Sequence, residues 1–429
     1  MVFKPIYILI LAGTIVVDYV AGILLEDTKD AARKKLYLAL SIVANVGCLA
    51  VFKYYNFINQ NLTSLLGSFS IQNQLPMLEI LLPIGLSFHT FQAMSYTFEV
   101  YYGRQKAERH FGIYALYVMY YPQLVAGPIE RPQNILHQLK AYVPFNYDNI
   151  VQGLKWILWG MFVKVVLADR LAIYVDSVFD SPEHHSAITS IVASIFFTFQ
   201  IYGDFSGYSL IAIGCAKVIG TDLMVNFKRP YLSMSIREFW SRWHISLSTW
   251  FRDYLYIPLG GNRVSALRNM FNVFVVFLIS GFWHGANWTF IVWGGLHGIY
   301  LLFEILADKV KLPVFLPKPA KWLFNFALVV LTWVFFRAHS VEKAKILLAN
   351  IFTWKKGSLF IGNASYLAYG CVLIAFVMLA DINTEKWHNK YSLIYSRHQS
   401  LRWLGYLVLI LAIILIGVFN GGQFIYFQF

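Results

Sequence analysis

Long apolar segments recur along this 429-residue chain, and they constrain its fold more than any other feature of the sequence. A helix needs about 20 apolar residues to cross a bilayer, and most of these segments reach that length. There are about eleven of them by this criterion. They are residues 5–25, 35–53, 78–101, 111–126, 152–177, 187–216, 268–283, 287–306, 320–337, 364–381 and 402–420. The sequence therefore predicts an all-α polytopic membrane protein with about eleven transmembrane or re-entrant helices.

The composition agrees with burial in a membrane and excludes two other classes of protein. Hydrophobic residues make up 58% of the chain and charged residues 13%, whereas soluble domains carry about 25% charged residues. A soluble domain would need more polar surface, and a disordered chain would need lower hydrophobicity and more charge. The net charge of +13 does not indicate nucleic-acid binding, because the basic residues lie mostly in short stretches between apolar segments.

The distribution of lysine and arginine predicts the orientation of the chain. The loop after the first segment is basic between residues 29 and 35, whereas residues 54–77 contain no lysine or arginine. Because cytoplasmic loops carry the excess of basic residues, we place the first loop inside and the second outside. The basic stretch 217–268 is also predicted to be cytoplasmic. Segments 268–306 must then enter the membrane and return, with their turn near His284.

Two segments, 111–126 and 268–283, are short for a full crossing. We expect the first to be re-entrant or buried, since short segments often mark such backbone. No linker or internal repeat is evident, so residues 1–429 are predicted to form one integral-membrane domain. The three cysteines lie far apart and form no metal-ligand motif, so no metal site is predicted.

Two polar stretches interrupt the apolar background before residue 210. In the first, Tyr121 to Pro132, prolines and a glycine prevent a regular helix. This pattern is typical of a structured turn, and a wall of a buried site is the alternative. The second, Tyr202 to Ser209, places Asp204 inside an apolar segment. A carboxylate at membrane depth is usually buried in protein or lines water, so Asp204 belongs either to a structural network or to a site.

A third polar stretch predicts an amphipathic helix over residues 235–255 on the cytoplasmic side. Ser235 and Glu238 form a capping box, which predicts where this helix begins. Aromatic and polar residues then occupy two faces at helical spacing, as expected of a helix at the membrane interface. The aromatic face holds Phe239, Trp243, Trp250, Phe251 and Tyr254, and the polar face holds Glu238, Arg242, Thr249 and Asp253. The polar face is most simply solvated, but His244 has Trp240 and Ser248 one turn away on either side.

The block from Gly281 to Trp288 places His284 between apolar segments. A histidine in such surroundings is often only a satisfied core residue. Its location in a membrane segment favours a function, because ionisable residues there are costly and often functional. An unperturbed pKa near 6.5 suits proton transfer at neutral pH, and burial favours the neutral form that can act as a base.

Two of these blocks carry a resemblance to a known family. The sequence REFWSRWHISLSTWFRDYLYIPLGGNR, from Arg237 to Arg263, is followed by GFWHGANW, which ends at Trp288. Together they resemble the membrane-bound O-acyltransferase (MBOAT) family, in particular its alginate O-acetyltransferase branch. The turn at residues 126–128, the stretch at 204–208 and the terminal residues 424–429 resemble the same branch.

The resemblance implies an integral-membrane enzyme that helps to acylate an extracellular polymer. The family's essential histidine falls on His284, and a second histidine common in the bacterial branch falls on His244. The implied acyl donor is a thioester such as acetyl-CoA on the cytoplasmic side of the bacterial inner membrane, with no permanently bound cofactor. A secreted or periplasmic partner often completes the transfer to a polysaccharide. Relatives usually carry further segments before the point that matches Met1, and many have an acidic residue where this chain has Leu210.

The implied chemistry needs a base to take the proton of the acceptor hydroxyl, a contribution of about 10²–10⁴-fold. We assign this role to His284 and expect His244 to position the thioester or to carry a second proton. Asn287 is either an oxyanion donor or a helix cap. A narrow polar tunnel should have His284 at its constriction and His244 on its cytoplasmic limb. Trp240, Trp283 and Asn287 should line its walls.

The basic residues of the cytoplasmic side allow two interpretations. Arg229, Arg242, Arg252 and Arg263 would suit the phosphates of coenzyme A, and the positive-inside bias explains them equally well. Two other functions share the same composition: a transporter, and a non-catalytic subunit of a polymer-secretion complex. The absence of internal repeats in the sequence argues against the transporter, and the two histidine blocks argue against the non-catalytic subunit.

Overall fold

The computed structural model describes residues 7–80, 83, 85–124, 127–310, 316–419 and 425. In this part of the chain the protein has seventeen α-helices, α1 to α17, and no strand. The all-α prediction is therefore confirmed. Part of the predicted turn at 126–128 and nearly all of the terminal motif at 424–429 lie outside the described residues, as does the start of the first apolar segment.

Nine helical stretches of the described chain are long and apolar enough to cross a bilayer. They are Tyr7–Asp27, Ala31–Ser68, Tyr147–Phe179, Ala187–Val218, Ala266–His284, Trp288–Lys309, Lys318–Arg337, Ala364–Trp387 and Gln399–Ile416. The polytopic class is therefore confirmed, and the candidate spans are fewer than the apolar segments of the sequence. The described part of segment 111–126 contains an eight-residue α-helix and a 3₁₀ turn, and segment 78–101 contains a helix of 16 residues.

The expectation that segment 268–283 is too short to cross is wrong. Its helix runs over Ala266–His284 and has 19 residues. The Ser265 side chain accepts a hydrogen bond from the backbone N–H of Arg268, which starts the helix ahead of the apolar run. The helix adds Ala266 and Leu267 at its start and His284 at its end to the predicted segment, which brings it to 19 residues.

The described chain divides into two compact units. The first unit comprises Met1–Asn146 and Ile219–Met224. Its helices are α1 (Tyr7–Asp27), α2 (Ala31–Leu49), α3 (Tyr55–Ser68), α4 (Leu86–Tyr101), α5 (Phe111–Val118) and α6 (Pro132–Lys140). Inside it, the buried carboxylate of Asp18 on α1 accepts hydrogen bonds from Ser41 and Asn45 on α2.

The second unit comprises Tyr147–Val218 and Val225–Phe429. Its helices before residue 260 are α7 (Tyr147–Met161), α8 (Asp169–Phe179), α9 (Ala187–Val218), α10 (Ile236–Arg242) and α11 (Ile245–Phe251). Those that follow are α12 (Ala266–His284), α13 (Trp288–Lys309), α14 (Lys318–Arg337), α15 (Val341–Phe352), α16 (Ala364–Trp387) and α17 (Gln399–Ile416). The single domain expected over residues 1–429 stays a prediction, as does the orientation in the membrane.

Helix α9 is the most buried of the nine candidate spans, and glycines let α7 approach it closely. A Cβ atom on Gly160 of α7 would lie 2.7 Å from the carbonyl oxygen of Gly207 on α9. A Cβ atom on Gly153 would lie 2.6 Å from the carbonyl oxygen of Gly214. Small residues at such contacts are typical of helices packed in membranes. This contact sets α9, with its polar stretch Tyr202 to Ser209, in the interior of the second unit.

Helices α12 and α13 form the hairpin predicted around His284. Helix α12 ends at His284, Gly285 is extended, and the Asn287 side chain accepts from the N–H of Thr289 to begin α13. A Cβ atom on Gly281 would lie 2.3 Å from the carbonyl oxygen of Phe290, so the two helices approach closely beside the turn. The predicted turn is therefore confirmed.

The single amphipathic helix predicted over residues 235–255 is wrong. The predicted cap is present, because the Ser235 hydroxyl accepts from the N–H of Glu238 and the Glu238 carboxylate accepts from the N–H of Met234. However, α10 ends at Arg242 and α11 begins at Ile245. A π-helical turn, Arg252–Tyr256, follows α11. The predicted aromatic face is buried in protein, and the polar face is partly exposed. The break falls at His244.

Candidate functional site

His244 lies at the break between α10 and α11. Its backbone has φ 43° and ψ 54°, in the left-handed region, and its side chain is fully buried. A non-glycine residue in this region typically costs about 1–3 kcal/mol and persists only when its surroundings enforce it. The structure therefore holds His244 in a defined position.

The enforcing contact comes from Asn226, which lies before α10 in the sequence. Its backbone oxygen accepts from the N–H of Ile245 at 2.9 Å, and its Oδ1 accepts from the N–H of Ser246 at 3.2 Å. Nearby, the N–H of Lys228 donates to the carbonyl of Arg242 at 2.9 Å. Asn226 thus satisfies the first N–H groups of α11, a task that a capping side chain normally performs.

The imidazole of His244 contacts the same amide. Its Nδ1 lies 3.2 Å from Oδ1 of Asn226, and the Nδ2 of Asn226 donates to the hydroxyl of Ser209 on α9 at 3.3 Å. The ring of Phe205, also on α9, packs perpendicular to the imidazole with a centroid distance of 4.6 Å. Burial lowers the pKa of His244 to about 3, so the imidazole is neutral at physiological pH.

His284 stands at the end of α12 beside His244. The two imidazole centroids are 6.5 Å apart, and His284 is 3% exposed. Three aromatic rings surround His284: Trp283 at 5.0 Å, Trp293 at 5.1 Å and Phe336 at 5.4 Å. The two predicted histidines therefore belong to one buried aromatic cluster.

A third histidine, His297, orders the side of the cluster that holds Trp240. The indole N–H of Trp240 donates to Nδ1 of His297 at 3.2 Å, and Nε2 of His297 lies 3.0 Å from the hydroxyl of Thr332. That hydroxyl donates to the carbonyl of Val329, so Nε2 must be the donor to Thr332. Trp240 packs on Trp293 at 5.7 Å and thereby joins the cluster through the ring that also contacts His284.

A cavity of about 60 Å³ lies between α7, α9 and α16. Its polar lining includes Tyr202, Ser206, Ser209, Asn226 and Asp381. The hydroxyl of Tyr202 donates to Asp381 at 3.1 Å. The cavity therefore reaches Asn226, which contacts His244, and not His284. The tunnel with His284 at its constriction stays a prediction.

Two predicted site residues, Asp204 and Asn287, make contacts away from the two histidines. The side chain of Asp204 pairs with Lys164 at 2.5 Å and accepts from the N–H of Ile425 at 2.8 Å, as in the structural-network alternative. Asn287 caps α13 and donates to the carbonyl of His339 at 3.1 Å, as in the helix-cap alternative.

Three of the four arginines proposed for phosphate binding, Arg229, Arg242 and Arg252, are engaged in ion pairs. Arg252 is exposed and pairs with Asp253 at 2.8 Å. Arg229 and Arg242 both pair with Glu385 on α16, and Arg242 also pairs with Glu238 at 2.8 Å. A phosphate group would have to compete with these carboxylates.

The stretch Tyr121 to Pro132 belongs to the first unit, where its described residues form a structured turn. A 3₁₀ turn runs over Tyr121–Gln123. Beyond it, Glu130 is buried and accepts from the N–H of Met224 and from the amide of Asn134. Burial raises the pKa of Glu130. A role as the wall of a site stays a prediction.

Sequence reasoning missed Asn226 and His297. Asn226 lies before the capping residue Ser235, and His297 lies two residues after Gly295, but neither belongs to a recognisable motif. Their partners lie 17 or more residues away in the chain. Each contact depends on the tertiary structure, so no local pattern predicts it.

Residues 110–341 match the membrane-bound O-acyltransferase family, and this range contains both histidines of the cluster. The chain is 37% identical over 388 residues to a probable alginate O-acetylase of Pseudomonas aeruginosa, which covers 90% of this chain and 74% of that protein. It is 39% identical over 368 residues to a peptidoglycan O-acetyltransferase of Helicobacter pylori, covering 79% and 68%. It is 30% identical over 243 residues to a teichoic acid D-alanyltransferase of Streptococcus thermophilus, covering 52% and 56%.

Proposed function

The chain belongs to the membrane-bound O-acyltransferase family, and from this premise we propose that it moves an acetyl group from a cytoplasmic thioester towards the hydroxyls of an extracellular polysaccharide. It is a multi-pass membrane protein and an O-acyltransferase. The acyl group, the donor, the acceptor and the direction of transfer are parts of the proposal.

The names of the relatives support acetyl as the group and a cell-envelope polymer as the acceptor. The relatives with the longest matches are described as O-acetylases or O-acetyltransferases of alginate and peptidoglycan. The D-alanyltransferase matches a shorter part of the chain. We therefore place acetyl ahead of D-alanyl, and a polysaccharide ahead of a teichoic acid.

One observation carries the proposed mechanism: two buried imidazoles lie 6.5 Å apart within the part of the chain that matches the family. In the proposed reaction His284 takes the proton of the acceptor hydroxyl. The hydroxyl oxygen attacks the thioester carbonyl carbon, the carbon–sulfur bond breaks, and the leaving thiolate receives a proton to become the free thiol. No acyl-enzyme is required, and the reaction consumes and releases no net proton, because one leaves the hydroxyl and one is added to the thiolate.

His244 is the second proton carrier in this proposal. Its imidazole is buried, and its centroid lies 6.5 Å from that of His284, so both rings belong to the same site. The indoles of Trp283 and Trp293 keep bulk water from His284. Exclusion of water favours transfer to a sugar hydroxyl over hydrolysis of the thioester.

The proposed location is the bacterial inner membrane, with the thioester, such as acetyl-CoA, on the cytoplasmic side. The basic residues between 217 and 268 support this orientation through the positive-inside bias. We further propose that a secreted or periplasmic partner receives the acyl group or completes its transfer to the polymer.

Membrane vesicles of defined orientation test the donor side and the acceptor together. Inside-out vesicles that contain the chain are loaded with alginate or peptidoglycan fragments and with a periplasmic extract of the same cells, which supplies the proposed partner, and radiolabelled acetyl-CoA is added outside. Label should appear on the trapped polymer. Right-side-out vesicles with the same donor outside should remain unlabelled. Vesicles that carry the His284→Ala variant provide the matched control for background transfer. Equal labelling in both orientations would overturn the proposed direction. If free thiol is released in neither orientation, acetyl-CoA is not the donor.

A further inference from the structure

A backbone N–H group, which can act only as a hydrogen-bond donor, fixes the orientation of the Asn226 amide. The backbone N–H of Ser246 can only donate, and it lies 3.2 Å from Oδ1 of Asn226. On the other side, Nδ2 of Asn226 contacts the Ser209 hydroxyl at 3.3 Å. The atom of Asn226 that faces His244 is therefore the carbonyl oxygen, which can only accept.

This oxygen lies 3.2 Å from Nδ1 of His244. A neutral imidazole has one protonated and one unprotonated nitrogen, and its hydrogen-bond partner determines which is which. If Nδ1 carried the lone pair, two acceptors would face each other inside the protein. We infer that Asn226 holds His244 as the Nδ1–H tautomer, which leaves the basic lone pair on Nε2 and makes Asn226 a positioning residue for acyl transfer.

The Ser246 hydroxyl offers a competing arrangement. It lies 2.9 Å from Oδ1 of Asn226 and 3.5 Å from Nδ1 of His244. The shorter contact has the ordinary length of a hydrogen bond, whereas the longer one is at the limit. The hydroxyl therefore donates to Asn226 and leaves Nδ1 of His244 as a donor. If it donated to Nδ1 instead, Nε2 would carry the proton and could not act as a base.

The backbone supports the same assignment. Asn226 also accepts from the N–H of Ile245, so one residue fixes the start of α11, the left-handed backbone of His244 and the position of its ring. Asn226 is 1% exposed. A hydrogen-bond partner that selects a tautomer is a common way to prepare a histidine for proton transfer.

The tautomer itself can be measured without any assay of activity. The wild-type chain with ¹⁵N-labelled histidine is reconstituted in lipid nanodiscs, and the His244 signals are assigned from a His244→Gln sample. We expect a protonated Nδ1 and an unprotonated Nε2. The reverse pattern would overturn the inference. Ser246→Ala should leave the pattern unchanged, and a switch of tautomer in that variant would also overturn it.

The role in transfer rests on the proposed function and needs a kinetic comparison. Asn226→Leu keeps the volume but removes the acceptor, and we expect kcat to fall by roughly 10²-fold with little change in KM. Asn226→Asp keeps an acceptor opposite Nδ1 and should recover most of this loss. Asn325→Leu is the matched control, because Asn325 is another buried amide, bonded to Ser233 and not to a histidine.

The two variants separate positioning from packing. If Asn226→Leu retains wild-type kcat, or if it loses activity while His244 keeps its Nδ1–H signal, Asn226 does not act through the tautomer. If Asn226→Asp is as slow as Asn226→Leu, the acceptor is not what matters. Should the wild-type chain transfer no acyl group at all, the proposed function fails, and the spectrum still decides the tautomer.

Discussion

The imidazole rings of His244 and His284 lie with their centroids 6.5 Å apart, although one stands at a break between two short helices and the other at the end of a candidate membrane span. Both are buried, and aromatic rings surround them. This proximity joins the two histidine blocks of the sequence into one site. It also means that substitutions at either histidine are not expected to act additively.

His284→Ala should abolish acyl transfer while the chain still folds. The substitution removes the proposed base, whose contribution is about 10²–10⁴-fold. Membrane levels and the melting temperature in nanodiscs should stay near those of the wild type, with acylation measured on the same samples. His184→Ala, at an exposed histidine of the same unit, is the control and should retain activity. Normal acylation by well-expressed His284→Ala protein would contradict the assignment.

The stability of the protein should fall as the pH is lowered from about 6.5 towards 3, in part because of His244. Burial lowers its pKa from 6.5 to about 3, so the unfolded chain binds a proton in this range that the folded chain does not. The contribution of neutral His244 to the free energy of unfolding is therefore complete above pH 6.5 and is lost progressively below it. His284 is a second titratable residue, and its ring lies beside that of His244. Melting temperatures in nanodiscs between pH 4 and 8 check this dependence.

His244→Gln isolates the contribution of this one histidine. The glutamine cannot be protonated, so the variant should show a weaker loss of melting temperature below pH 6.5 than the wild type. His184→Gln removes an exposed histidine and should follow the wild-type curve. Superimposable curves for wild type and His244→Gln would show that His244 is not held in its neutral form by burial.

Local sequence patterns predicted the all-α class, the hairpin of α12 and α13 and the start of α10. These features depend on apolar length, on loop charge and on the Ser235–Glu238 capping box, all of which are visible within a few residues. The family resemblance, rather than spacing, pointed to both histidines. That they contact one cluster follows only from the fold.

The break at His244 was not predictable, because helical spacing continues through it. The pattern of aromatic and polar residues from 235 to 255 fits one helix. In the structure, Asn226 accepts hydrogen bonds from the N–H groups of Ile245 and Ser246, and the helix is broken there. The candidate spans are fewer than the apolar segments for a related reason. Segments 78–101 and 111–126 are apolar, but the α-helices described in them have only 16 and 8 residues.

The loop between α8 and α9 should face the outside, and the start of α10 should face the cytoplasm. Helix α9 separates the two and is long enough to cross the membrane. In a background without cysteines, Glu183→Cys should react with an impermeant thiol reagent added to intact cells, and Arg237→Cys should react only after the cells are opened. Both positions are exposed, so the pair controls for accessibility. The opposite pattern would invert the topology and remove the cytoplasmic donor side.

Gly207→Ala should destabilise the second unit far more than Gly295→Ala, although both glycines lie in candidate spans. A Cβ atom on Gly207 would lie 2.7 Å from the carbonyl oxygen of Gly160, and a backbone oxygen cannot move aside without shifting α7 from α9. A Cβ atom on Gly295 would meet only a Leu278 methyl at 3.6 Å, an ordinary contact. Overpacking typically costs about 1–3 kcal/mol.

The comparison is made on the melting temperature of each variant in nanodiscs, together with its acyl transfer. Gly207→Ala should melt lower and also transfer more slowly, because α9 carries Phe205 and Ser209 to the His244 side of the site. Gly295→Ala should match the wild type in both measurements, since alanine fits the space and favours the helix. Equal melting temperatures for the two variants would show that α7 and α9 do not depend on close backbone approach, and the site would then need another explanation for its rigidity.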